Sequence, residues 1–269
     1  QLPSHPELLD WLAVSFSEDW DLNALIKKMV LSDTYQQESV SNPSIDQKDP
    51  NNLLLARANA SRLPAEIIRD NALKVSGLLN TKVGGESVRP YQPEGLWKEK
   101  NNFSAFLLEY KESQGEDLYR RGLYTFIRRT SPPPNMLTFD ATSREVCTVK
   151  REVTSTPLQA LVLLNDPQFF EASRIFAERI IKSKNTLEDQ ISHGFRMATS
   201  RHPKEEELEI LINLYKSQYQ YFRQNRDKAY QVLSVGEKAR DMNLFSVKTA
   251  AMTMVANTLL NHNETYTKR

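Results

Sequence analysis

The sequence predicts a mainly α fold, a single compact multi-helix domain spanning residues 1–269 with a small β element inserted near residues 118–150. Three observations predict it. Only eight glycines occur, and the plentiful Glu, Lys, Leu, Ala and Gln favour helix. Cap residues repeatedly stand before apolar positions spaced three and four apart. One segment alone, Leu123–Ile127, carries a convincing strand signature.

The elements follow in order. Ser4-His5-Pro6-Glu7 has the form of a capping box, and Leu8, Leu9, Leu12, Ala13 and Phe16 give the first helix one apolar face. Asp21 caps a second helix with Leu22, Leu25, Ile26, Met29 and Val30 inward. Residues 39–52 carry Pro43 and Pro50 and read as a loop, with a third helix beginning near Asn52. Pro64 opens a fourth through Ile67, Ile68, Leu73, Val75 and Leu78. Gly84-Gly85 breaks the pattern, and the stretch 84–117, with Pro90, Pro93 and Gly95, is the one plausible seam. Leu123–Ile127 then reads as a strand between Gly122 and the prolines 132–134, and Val146–Val149 as a second short one. Thr156-Pro157-Leu158-Gln159 is another capping box. Asp166-Pro167 caps a helix to about Ile181, Thr186 caps the next, and Pro203 to Glu207 opens a longer one with acids at its positive end. Gly236 stops a short helix. Leu244, Val247, Ala251, Met254, Val255 and Leu259 mark a last amphipathic helix.

Composition narrows function mainly by exclusion. A net charge of +1 provides no global field for nucleic acid or an anionic membrane. No apolar run nears the ~18 residues a membrane span needs. A single cysteine excludes an internal disulfide and a cysteine-based metal cluster. The four histidines, His5, His193, His202 and His262, show no i, i+4 pair and no HExxH spacing, so neither a metal site nor a cofactor is expected in this chain. The chain opens directly at a helix start, which reads as a piece of a longer protein.

Residues Phe139–Pro167 are the most distinctive. Cys147 stands among Asp140, Arg144, Glu145, Lys150, Arg151 and Glu152. Lys150 and Arg151 would favour a thiolate nucleophile; the plainer reading is a half-buried small hydrophobe on the second strand. Arg120, Arg121, Arg128 and Arg129 bracket the first strand. Its alternation places Arg121, Leu123, Thr125, Ile127 and Arg129 on one face. Together Arg121, Arg129, Asp140, Arg144, Glu145 and Arg151 form either an internal ion-pair network or a pocket for an anion or other ligand. Asp140 and Glu145 also admit an acid/base pair of the glycosidase kind. Tyr91 and Trp97, in the irregular middle, are candidates for a glycan platform. Tyr215, Tyr219 and Phe222 share a helix face and read as packing.

HPELLDWLA at 5–13, SDTYQQES at 32–39, RLPAEIIRDNAL at 62–73, VRPYQPEGLW at 88–97, the 139–167 stretch and RHPKEEEL at 201–208 resemble a planctomycete-type secreted domain of unknown function, number 1553. Ser200-Arg201-His202 and Asn261-His262-Asn263-Glu264 depart from its usual pattern. The resemblance implies a C-terminal module of an exported protein, extracytoplasmic, behind an upstream domain and often a c-type cytochrome domain. It implies a redox or polysaccharide-associated setting and supplies no catalytic residues. Two classes follow: a non-catalytic interaction module that docks on the upstream domain or a glycan, or a carbohydrate-active enzyme with its charged site in Arg128–Arg151.

Overall fold

The computed structural model describes residues 2–40, 42–97 and 109–268. These divide into two compact units, one of residues 1–62 with 267–269, the other of residues 63–266. The expected seam at 84–117 lies within the second unit, apart from 98–108, which fall outside the described residues. Thirteen α-helices and one two-stranded sheet occur among the described residues.

The smaller unit contains α1 (Pro6–Ser17), α2 (Leu22–Val30), α3 (Asp33–Gln36) and α4 (Pro43–Lys48). It also holds β1 (Ser61–Arg62), which pairs antiparallel with β2 (Thr267–Lys268). Asp21 caps α2 as expected, accepting from the N–H groups of Asn23 and Ala24 at 2.9 and 3.0 Å. The Ser4–Glu7 capping box does not form: His5 is the N-cap residue, and the Ser4 hydroxyl pairs with its imidazole. Nor does a helix begin at Asn52. Asp49 instead accepts from Leu53 and Leu54 N–H at 2.8 and 2.7 Å, closing a turn where a helix would run. Helix α4 occupies part of the expected loop, started by Asn42 accepting from Ser44 N–H. The apolar faces of α1 and α2 are not inward. Neither helix has a buried residue, because so small a unit has too little chain to cover them.

In the larger unit the helices are α5 (Ala65–Ser76), α6 (Pro134–Thr138), α7 (Pro157–Asn165) and α8 (Pro167–Ser183). They continue with α9 (Leu187–Thr199), α10 (Glu205–Gln224), α11 (Arg226–Leu233), α12 (Ser246–Leu260) and α13 (Asn263–Tyr266). Helices α8 and α12 form the centre, with α5 against α8 and α10 and α11 against α12. Ala172 and Ala177 on α8 and Ala251 and Ala256 on α12 are fully buried and let larger groups such as Phe176 and Met252 interlock. Gly194 brings α9 onto α8: a Cβ there would lie 2.6 Å from Ile180 Cδ1. Asp166 and Thr186 cap α8 and α9 as the sequence indicated. At α7, the Gln159 side chain accepts from Thr156 N–H at 3.4 Å. Tyr215 and Tyr219 stack within the packing around Phe222.

The expected strand at Leu123–Ile127 is absent. Gly122–Tyr124 is a 3-10 turn, and only isolated bridges, Val88 with Thr125 and Arg128 with Ser131, mark the region. The segments flanking it are held by side chains. Buried Arg69 donates to Gln168 Oε1 at 2.6 Å and to the Leu118 carbonyl at 2.8 Å. Arg120 donates to the carbonyls of Lys82, Gly84 and Glu86 and lies over the Tyr124 ring. Gly122 packs 3.0 Å from the Glu66 backbone, measured from a built Cβ, and its N–H donates to Asp70. A strand needs a partner along its length, and here the main chain of Val88 alone pairs, accepting from Phe126 N–H and donating to the Tyr124 carbonyl, each at 2.8 Å. Val146–Val149 is likewise irregular and exposed.

Candidate functional site

Helix α8 places Glu171, Arg174, Glu178 and Lys182 at intervals of three and four, which is one helix face. That stripe grips the main chain of residues 235–241. Glu171 accepts from Lys238 N–H at 2.7 Å, and Glu178 from Asp241 N–H at 3.2 Å. Arg174 donates to the carbonyls of Val235 and Lys238. Lys182 pairs with the Asp241 carboxylate at 2.6 Å. Gly236 has φ +90°, and a Cβ there would stand 2.2 Å from the Glu171 carboxyl carbon, so no larger residue fits without a shift.

Glu171 is fully buried and draws in two more segments. It accepts from Tyr119 Oη at 2.9 Å and from Tyr91 Oη at 3.1 Å. Tyr91 Oη in turn accepts from Glu237 N–H at 2.8 Å. Burial, and then the Glu171 charge, push both phenols well above their ordinary pKa, so they remain neutral donors. Three loops and a helix therefore converge on one carboxylate.

A cleft opens beside this knot, lined among the described residues by Tyr91, Gln92, Trp97 and Tyr110 and by the charged Glu94, Glu109, Lys111, Glu112 and Glu237. Both glycan-platform candidates, Tyr91 and Trp97, line it. Trp97, however, is only 2% exposed and cannot serve as an open stacking surface. It meets Tyr110 edge-on at 5.0 Å and Phe126 at 5.7 Å, and the guanidiniums of Arg89 and Arg128 lie over it. The Tyr91 hydroxyl is committed to Glu171.

The charged residues of the 121–151 segment do not gather in that cleft, nor in any other described cleft. Arg121, Arg129, Arg144 and Glu145 are exposed. Arg144 adds to the positive charge that holds the Glu66 carboxyl below its ordinary value. The buried arginines are the neighbouring Arg120 and Arg128, the opposite phase of the alternation, where carbonyls and rings hold them. Asp140 is held by Thr154, accepting from its N–H at 2.8 Å and its hydroxyl at 2.9 Å, which leaves it fastened to a loop base. Arg151 forms a two-pronged pair with Glu66 at 2.8 and 3.1 Å. Burial, the largest single influence, would raise the Glu66 pKa, but the Arg151 bond, a backbone hydrogen bond and the charges of Arg151 and Arg144 together outweigh it, and the carboxyl lies below its ordinary value. Cys147 is exposed, not packed on a strand.

One cluster escaped the sequence reading. Arg201 clamps Glu207 at 2.6 and 2.7 Å and Glu264 at 2.7 and 2.8 Å, tying α10 to α13. Glu207, His262 and Glu264 also offer ligand atoms within 4.8 Å of one another. The guanidinium already occupies both carboxylates, so this is a structural clasp. The Arg201 bond pulls the Glu207 pKa down to about 2. Glu171, Tyr119 and Gln92 were missed too. The visible signal for Glu171 was the alternating charge of α8 at helical spacing on a helix rich in buried apolar residues.

Fold and site together define a mainly helical module with a buried carboxylate–phenol knot beside an acidic, aromatic-lined cleft. The chain belongs to the PSD1 family, described as a protein of unknown function (DUF1553), whose model matches residues 1–215. No curated protein and no solved structure matches it. The matched span includes Tyr91, Tyr119 and Glu171 and ends within α10, before the 235–241 segment that Glu171 grips. Among the described residues no helix is long and apolar enough to cross a membrane.

Proposed function

We propose that the chain is a non-catalytic interaction module that docks on a second domain, the upstream domain of the same polypeptide, through residues 141–153. The observation that carries this is the combination of fixed ends and an exposed apolar middle. Asp140–Thr154 closes the loop base and Arg151–Glu66 pins its far side. Between them Val146 is 75% and Val149 105% exposed, with Cys147 between them. Apolar side chains held outward on an anchored loop suit a surface that a partner covers. Arg144, Glu145 and Lys150 around them supply charges for orientation.

The module carries no cofactor of its own in this reading. An exported, extracytoplasmic setting with a c-type cytochrome domain nearby suits it. The enzyme alternative needs Arg129, Asp140, Arg144 and Glu145 to converge on a substrate, and their dispersal weighs against it.

Thiol labelling tests the proposal. Cys147 in the isolated chain should react rapidly with a maleimide, and in the complete natural polypeptide its rate should fall by about tenfold or more, as expected for a covered thiol. Val149→Asp should restore fast labelling in the complete polypeptide. Equal rates in the two settings would end the proposal.

A further inference from the structure

We propose that the α1–α2 hairpin of the smaller unit is a docking groove for a basic amphipathic helix of a protein partner, which lays its apolar stripe between the two helices. The first observation is a missing core. Among the described residues of the smaller unit only Asp49 and Asn52 are buried. A helix with an apolar stripe must bury it against another element, yet α1 and α2 leave theirs open. The groove has a defined side. Lys28 donates to the Ser15 hydroxyl at 2.7 Å and lies over the Trp11 ring, which closes one side of the hairpin. Helical spacing puts Leu9, Ala13 and Phe16 of α1 and Leu22, Ile26 and Met29 of α2 on the other. All of these but Phe16 are exposed. Two such rows side by side leave a furrow that a third helix fills, ridges into grooves.

The second observation is the charge around the groove. From Pro6 to Leu31 five acids stand against Lys27 and Lys28, which leaves a net charge of −3, and Glu18, Asp19 and Asp21 crowd the turn at one end. An occupant with lysines or arginines flanking its apolar stripe meets these acids favourably. A second copy would bring the same negative charge and be repelled, as would an anionic membrane surface. An extended segment would lay its backbone donors and acceptors against two helix faces that have no partners to offer, whereas a helix satisfies its own. The groove belongs to the smaller unit and the 141–153 loop to the larger, so the two proposals fail separately.

The test is the fluorescence anisotropy of a labelled synthetic peptide titrated with the 269-residue chain. The peptide has about 18 residues of leucine and lysine, with the leucines at helical spacing, long enough to form a helix on binding. Two controls keep its length. One carries glutamate for lysine, and the other alternates leucine and lysine at the period of a strand. The lysine helix should bind saturably in the micromolar range, at least about tenfold more tightly than either control. Ile26→Asp, an exposed change, should weaken that binding by about tenfold or more with the melting temperature unaltered. The added acid would strengthen a merely electrostatic contact, so unchanged or tighter binding by Ile26→Asp overturns the proposal. So does a glutamate or alternating peptide that binds equally well, or no binding at about 100 μM. A parent chain that sediments as a dimer, and that Ile26→Asp makes monomeric, would assign the face to a second copy and overturn the proposal too.

Discussion

Residues 141–153 and residues 235–241 are both irregular, both rich in charge and both on the same helical unit, yet they are held in opposite ways. The 235–241 segment is gripped through its main chain by a stripe of α8 whose central acid is buried and also bonded to two tyrosines. The 141–153 loop is held at its ends by Asp140 and Arg151, and its middle is exposed. Charge density alone therefore predicts neither rigidity nor a site. What differs is where the backbone donors and acceptors go, into a core helix in one case and largely into water in the other.

The comparison breaks most clearly at Glu171. Glu171→Leu strands Arg174, two phenols and the Lys238 N–H, and should cost about 3–5 kcal/mol in urea unfolding. Gly236→Ala forces both a disfavoured φ and a clash with Glu171, and should cost about 2–4 kcal/mol by the same measurement. A loss below about 1 kcal/mol for either would mean that the knot is not what fixes the segment.

A smaller loss is expected at the loop base. Asp140→Ala removes the acceptor of the Thr154 N–H and should cost about 1–3 kcal/mol, with faster hydrogen exchange confined to the loop. Arg151→Ala removes a half-exposed pair and should cost at most about 1 kcal/mol. Its pH dependence sharpens the contrast. The folded pKa of Glu66 lies below the ordinary 4.5, so the pair contributes fully above that value and is lost as pH falls through the depressed one. The melting difference between Arg151→Ala and the parent should shrink over that acidic range. A difference that persists in strong acid would show that Arg151 acts through something other than Glu66. By the same sign, the Arg201 clasp should hold until the pH approaches the Glu207 value of about 2. Smallest of all, Arg144→Ala and Cys147→Ser should change stability by less than about 0.5 kcal/mol, and a larger loss would reveal packing in the loop.

Local chemistry was legible in the sequence. Asp21, Asp166 and Thr186 cap the helices they announce, since a cap is decided within three residues. The strand at Leu123–Ile127 was misread because its β-branched and aromatic content describes a half-buried extended segment, and many irregular segments share that content. What decides against a strand is that only Val88, distant in sequence, pairs with this backbone, and that the Gly122 N–H is taken by Asp70 as a 3-10 turn begins. The apolar faces of α1 and α2 were read correctly as faces, but periodicity says nothing of whether chain exists to cover them. At the site, Tyr91 and Trp97 were found as residues but not in their roles. Burial of the indole and capture of the phenol depend on Tyr110, Phe126 and Glu171, from three other segments. Asp140 and Arg151 looked like a ligand site because fastening a loop and binding an anion use the same groups.

The grip of α8 on Val235, Lys238 and Asp241 carries a consequence for how this surface can change. Most of those bonds read peptide groups, which every amino acid other than proline supplies in full. Lys238, Ala239 and Arg240 can therefore be exchanged for residues of other size or charge while the segment keeps its course, provided Gly236 stays. The molecule has separated the shape of this edge from its chemistry, so new recognition properties can be written onto it without redesigning the fold beneath.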